Sequence, residues 1–132
     1  MHITIKTNIS RETLEDIIVT ALEGGSNSWY YLSDRVLEIT KAAVPEYLNM
    51  PLSTAIAAAI LDHGVTIPIN DYENIEEELG EISLSTMGAR LQKLSDDVAY
   101  SYALREEMSG NGDGGTSDIV FQYMCLGEVM FG

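Results

Sequence analysis

"TALEGGSNSWYYLSD", residues 20–34, decides how the chain is organised, because it joins two opposite local signals. Upstream, Leu14, Ile17, Ile18, Ala21 and Leu22 recur at i, i+3, i+4, i+7 and i+8. That spacing puts them on one face of an amphipathic helix over residues 11–23, capped by Asn8 or Ser10. Gly24 and Gly25 stop it, since glycine takes the left-handed C-cap conformation without a Cβ clash. Downstream, SWYYL (28–32) has strong strand propensity. Strand side chains alternate, so Trp29 and Tyr31 would share one face and Tyr30 the other. One face is expected in the core, because aromatic rings supply much buried area. The other is free to stack on a flat ligand, with Ser26, Asn27 and Ser28 as hydrogen-bonding partners.

Working outward, HITIK (2–6) alternates like a short strand. RVLEITKAAV reads as a short helix ending before Pro45. Ser53 or Thr54 opens a helix through AIAAAILD, with Gly64 as its stop. VTIPI (65–69) reads as a strand, and Pro68, lacking an N–H, places it at an edge or ends it. EISL (81–84) reads as another short strand, followed by Ser85 as a cap. Met87, Leu91, Leu94, Val98 and Tyr102 then mark one long helix over 86–108. GNGDGGT (110–116) reads as a flexible loop. SDIVFQYMCLGEVMFG opens on a Ser-Asp cap and is apolar almost all round, which makes it the expected central buried helix. Four or so helices with a small sheet of short strands give an α+β fold. The 132 residues fit a single compact domain, 1–132.

The chain carries 21 acidic and 7 basic residues, a net charge of −14. The bases are scattered, so no stripe exists to neutralise phosphates, and neither direct nucleic-acid binding nor an anionic membrane surface is expected. Two readings of the charge remain: a solvated acidic surface, or a mimic of nucleic acid that fills a basic groove on a partner. The stretch 71–81, DYENIEEELGE, holds six of the acids and no base. Its spacing fits no EF-hand, and Asn111, Asp113 and Asp118 match a calcium loop no better, so a solvated or mobile acidic segment is expected. A lone cysteine, Cys125, excludes an internal disulfide and fits a reducing cytoplasm. No run of 18 apolar residues occurs, and MHITIKTNIS lacks a signal-peptide apolar region.

The chemical motifs are sparse. GNGDGG has no GK[ST] after it, no GxGxxG opens a helix, and neither HExxH nor CxxC occurs. His63 beside Gly64 reads as a helix-end residue favoured by the dipole. No cofactor, metal or catalytic residue is expected from this inventory, and the chain reads as a non-enzyme.

Two motifs carry a resemblance. "DIIVTALEGGSNSWYYL" resembles an apolar-x-x-A-L-E-G-G-x-x-x-W signature, and "SDIVFQYMCLGEVMFG" a terminal Q-x-x-x-x-G-E-apolar-apolar-x-G signature. Both are similar to those of a family of small, mostly uncharacterised proteins encoded by bacteriophages and prophages of gut bacteria. The resemblance covers about residues 10–32, 56–96 and 116–132. The family's usual Trp before the Glu-apolar-Ser/Thr-Leu element is replaced here by Gly80. The resemblance implies that Glu23, Gly24, Gly25, Trp29, Gln122, Gly127 and Glu128 form one connected region.

A phage setting implies a protein acting in the cytoplasm of the infected host. It suggests a non-enzymatic binder that counters defence by sequestering a nucleotide immune signal, as a symmetric homo-oligomer. Its binding residues would be Gly24, Gly25, Ser26, Asn27, Trp29 and Tyr31, with Arg35, Arg90 and Arg105 serving the phosphates. The alternatives are an acidic, anti-CRISPR-like mimic that inhibits a basic host defence protein, and a phage structural or interaction protein.

Overall fold

A computed structural model of the chain describes residues 8–26 and 28–132. The proposed strand 2–6 and Asn27 lie outside the described residues. Helix α1 (Arg11–Thr20) opens at Ser10, whose Oγ accepts from the Thr13 backbone N–H at 3.1 Å. It buries Ile17 and Ile18 completely, and burying each such side chain contributes about 1.5–3 kcal/mol. The helix then widens into one π turn, Ala21–Gly25, closed by Ser26 N–H to Ala21 C=O at 3.0 Å. Gly24 ends it at φ +129°, a conformation open to glycine and strained for any residue with a Cβ.

The expected strand 28–32 shrinks to β1 (Tyr30–Tyr31). Helix α2 (Asp34–Ala43) and a 3₁₀ turn (Tyr47–Asn49) lead to α3 (Leu52–His63). That helix starts at Leu52 behind Pro51, one residue before Ser53, because proline's fixed φ suits a helix entry. Gly64 caps its C-terminus at φ +65°. Arg11 clamps α3 to α1 with two bonds to Asp62, Nε–Oδ1 2.5 Å and Nη2–Oδ2 2.6 Å. This pairing lowers the Asp62 carboxyl below its ordinary value.

Strands β2 (Ile67–Asp71) and β3 (Glu78–Ile82) form an antiparallel hairpin, and the sheet order is β1-β2-β3. β2 is therefore central, not an edge. Pro68 is tolerated because β1 pairs with β2 only at Asn70 and Asp71, leaving the β2 backbone at Pro68 without a strand on that side. Ile67, Ile69 and Ile82 face the core. A bulge at Leu79 shifts the register between Ile69–Gly80 and Asn70–Glu78.

The long helix expected over 86–108 is two helices, α4 (Leu84–Ser95) and α5 (Ser101–Met108). Asp97 breaks it: its Oδ1 accepts from the backbone N–H of Ala99 at 2.8 Å and of Tyr100 at 3.1 Å. Such a local side-chain bond competes with helix continuation. Val98, expected on the apolar stripe, is fully exposed in the turn. Ser83, not Ser85, stands at the α4 N-cap position.

Helix α6 (Gly114–Leu126) is the central element, packed on α1, the π turn, α4, α5 and β3. Its cap is Asp113, three residues before Thr116 in a reciprocal capping box, not Ser117 or Asp118. The proposed loop 110–116 thus contributes its last three residues to the helix. Val120, Phe121, Met124 and Cys125 are buried, and burial pushes the Cys125 thiol's pKa up. No helix among the described residues is long and apolar enough to cross a membrane.

Candidate functional site

The two glycines of the opening segment do different jobs. Gly24 supplies the positive φ, while Gly25 lets the π turn meet the start of α6. A Cβ on Gly25 would stand 3.0 Å from Thr20 O and 3.2 Å from Gly114 O. This approach brings Ser26 and Trp29 against the first turns of α6. There Asp118 Oδ1 accepts from Ser26 Oγ at 2.5 Å and from Trp29 Nε1 at 2.8 Å.

One helical turn on, fully buried Gln122 continues the network. Its Nε2 donates to Asp118 Oδ2 at 2.9 Å and to Phe131 O at 3.0 Å. Its Oε1 accepts from the backbone N–H of Met130 at 2.9 Å and of Phe131 at 3.0 Å. All of the amide's polar capacity is satisfied, which a buried amide requires. The tail so held lays Phe131 on Trp29, ring centroids 5.3 Å apart and planes 8° from parallel. Phe121 and Tyr30 complete the cluster, at 5.9 Å and 5.3 Å from the indole. Burial beside Cys125 and Asp118 raises the Tyr30 phenol to about 12.

Of the seven residues the resemblance grouped, Gly25, Trp29 and Gln122 therefore meet through α6, the last two by way of Asp118. Glu23 turns elsewhere and accepts from Ser53 Oγ at 2.8 Å. Gly127 caps α6 at φ +77° near Arg90, and Glu128 is exposed.

The candidate ligand residues separate. Trp29 precedes β1, is 3% exposed and is already stacked, while Tyr31 is 37% exposed on the sheet edge. They do not share a face, because the strand starts only at Tyr30 and the indole turns inward to Asp118. Ser26 is buried on Asp118, and Gly24 is exposed. Arg35 is exposed on α2. Arg90 donates through Nη1 to Glu81 O at 2.8 Å and Met124 O at 2.7 Å, tying β3 to α6. Arg105, on α5, donates to Ser101 Oγ at 3.1 Å. A groove of about 770 Å³ between α1, α4 and α5 is lined in part by Arg105, and a polar recess of about 530 Å³ lies beside Glu107. Neither is lined by Trp29 or Tyr31.

What the Trp29 network does present is the β2–β3 hairpin. Trp29 O accepts from the Tyr72 N–H at 3.1 Å, so the buried cluster anchors the base of the acidic turn. The turn is internally bonded: Asp71 N–H to Glu77 O at 2.8 Å, Glu77 N–H to Asn74 O at 2.9 Å, and Asn70 Nδ2 to Ile75 O at 2.9 Å. Asp71 Oδ1 also accepts from the Glu73 N–H at 3.0 Å. The segment expected to be solvated or mobile is thus solvated, on an internally hydrogen-bonded turn. Glu73, Glu76, Glu77 and Glu78 are exposed on it, and with them Tyr72 at 58% and Ile75 at 51%. Gly80 closes the hairpin onto α6, since a Cβ there would lie 2.3 Å from Cys125 O.

Sequence reasoning located the acids but missed Tyr72 and Ile75. Their signal was present as apolar residues inside a polar turn, where no strand or helix period calls for them. Among the described residues no group of three or more His, Cys, Asp or Glu is placed to hold a metal ion. Comparison of the chain with protein-family models, curated proteins and solved structures finds no match.

Proposed function

We infer that the protein is a non-enzymatic binding protein that docks onto a basic surface of a partner through the β2–β3 hairpin. The observation that carries this reading is the tip itself: four exposed glutamates interleaved with exposed Tyr72 and Ile75 on a hydrogen-bonded turn. Carboxylates steer and orient a basic partner, and a few large side chains at the centre of a contact supply most of its affinity. Ordering the turn beforehand reduces the entropy lost on docking. In this reading, which the resemblance to phage proteins motivates, the basic partner is a host protein that handles nucleic acid, with the hairpin standing in for phosphates.

A nucleotide-sequestering role has less support, because the Trp29 indole is stacked on Phe131 and bonded to Asp118. The hairpin reading is tested by capture from host lysate, using the wild type and Glu76→Gln/Glu77→Gln/Glu78→Gln. A specific basic protein retained by the wild type, released by duplex DNA and lost in the triple variant is the expected result. Retention unaffected by the triple variant and by DNA would overturn it.

A further inference from the structure

The groove between α1, α4 and α5 differs in charge from the rest of the molecule. The chain has 21 acids, yet among the described residues no Asp or Glu lines this groove. Its floor is apolar, built by Leu14, Met87, Leu91, Leu104 and Met108. Among the described residues its rim is neutral and polar except for one cation, Arg105. Arg105 has no carboxylate within ion-pair distance among the described residues; its bond is to the Ser101 hydroxyl. Gly88 adds room, since nothing lies within 4 Å of where its Cβ would be.

The groove exists because α4 and α5 are separate helices. Asp97 ends the first, and residues of both helices line the groove. A volume of about 770 Å³ is in the range of small-molecule sites, about 300–1,000 Å³. Methionine side chains on the wall adapt to irregular apolar shapes. Among the described residues a cationic ligand finds no counter-charge there, and a polyanion finds one, Arg105. An apolar body with a single negative head matches both the floor and Arg105.

We propose that this groove is a binding site for an amphipathic organic monoanion, of the class of a medium-chain carboxylate, with its head on Arg105 and its chain on Met87, Leu91 and Leu104. The site is separate from the acidic hairpin and does not depend on the docking role. The rival occupant is residues 1–7 of the chain itself, since Asn8 and Ile9 lie at the groove.

The test is a titration of the full chain with decanoate, read by the methyl resonances of ¹³C-labelled methionine. Saturable shifts at Met87 and Met108, with Met50, Met124 and Met130 unmoved, are expected. Arg105→Gln should weaken decanoate about tenfold and leave decanol binding unchanged. No saturable shift at Met87 and Met108, equal shifts at Met50, Met124 and Met130, or equal decanoate affinity in Arg105→Gln would each overturn the proposal. So would decanoate binding that appears only when residues 1–7 are deleted, because that assigns the groove to the chain's own N-terminus.

Discussion

Trp29 Nε1 donates to Asp118 Oδ1 across 2.8 Å, joining residues 89 positions apart and placing the only tryptophan against the central helix. The same oxygen accepts from Ser26, and the second carboxylate oxygen accepts from Gln122. Removing the carboxylate therefore strands three donors at once. Asp118→Ala should destabilise the protein by about 2–4 kcal/mol, since hydrogen bonds to a charged group contribute more than neutral ones. Asp118→Asn, which keeps the shape, should cost about half of that. Chemical denaturation followed by Trp29 fluorescence measures both. A loss below about 0.5 kcal/mol for the alanine variant would show that Asp118 does not hold the segment.

Gly80 and Gly88 make opposite predictions for the same substitution. Gly80→Ala drives a methyl into the Cys125 carbonyl and the Leu126 side chain, and neither strand nor helix can yield freely. It should cost about 2–3 kcal/mol, at the upper end of overpacking effects. Gly88→Ala meets no atom, lies inside α4 and is exposed, so helix propensity should stabilise by about 0.5–1 kcal/mol. Thermal melts of the two variants should move in opposite directions, and a shift of the same sign would contradict the packing described for α6 and β3.

Alkaline titration should show two late phenols, Tyr30 and Tyr123. Tyr30 is raised to about 12 by burial and by the nearby Cys125 and Asp118. Tyr123 is raised to about 12 by burial and by its bond to Asp97, with the charges of Asp97 and Glu128 adding to it. Both folded values lie above the unfolded one. The stability they contribute is therefore complete below about pH 10 and is lost as pH rises through about 12. Absorbance at the phenolate band should still be rising near pH 12 as these two ionise. Tyr30→Phe and Tyr123→Phe should each remove one late phenol. On the acid side, the Tyr123 hydroxyl holds the Asp97 carboxyl below its ordinary range, so that contribution is present near neutrality and lost as pH falls through the depressed value.

The fold was legible where one local signal governs. The i, i+3, i+4 stripe of α1, the glycine stops at 24 and 64, and the all-round apolar α6 each follow from residues close in sequence. The split between α4 and α5 was not, because Met87, Leu91, Leu94, Val98 and Tyr102 keep helical spacing across a break made by one aspartate. The position of β2 was not, because Pro68 marks a local gap in pairing and not the rim of the sheet. Trp29 and Tyr31 parted because the partner that turns the indole inward, Asp118, lies on a distant helix. A side chain's exposure depends on such remote partners, and strand alternation carries no information about them.

The central claim is that position, and not total charge, makes the acidic hairpin a docking surface. Its most direct measurement is the affinity of the captured basic partner for three forms of the protein: wild type, Glu76→Gln/Glu77→Gln/Glu78→Gln, and Glu12→Gln/Glu38→Gln/Glu106→Gln. The two triple variants carry the same net charge, and the second removes exposed carboxylates from α1, α2 and α5. The account predicts that the hairpin variant weakens binding by more than about tenfold, roughly 1.4 kcal/mol, while the control stays near wild type. Equal weakening by the two variants would contradict it, because the partner would then be sensing overall charge and not the hairpin.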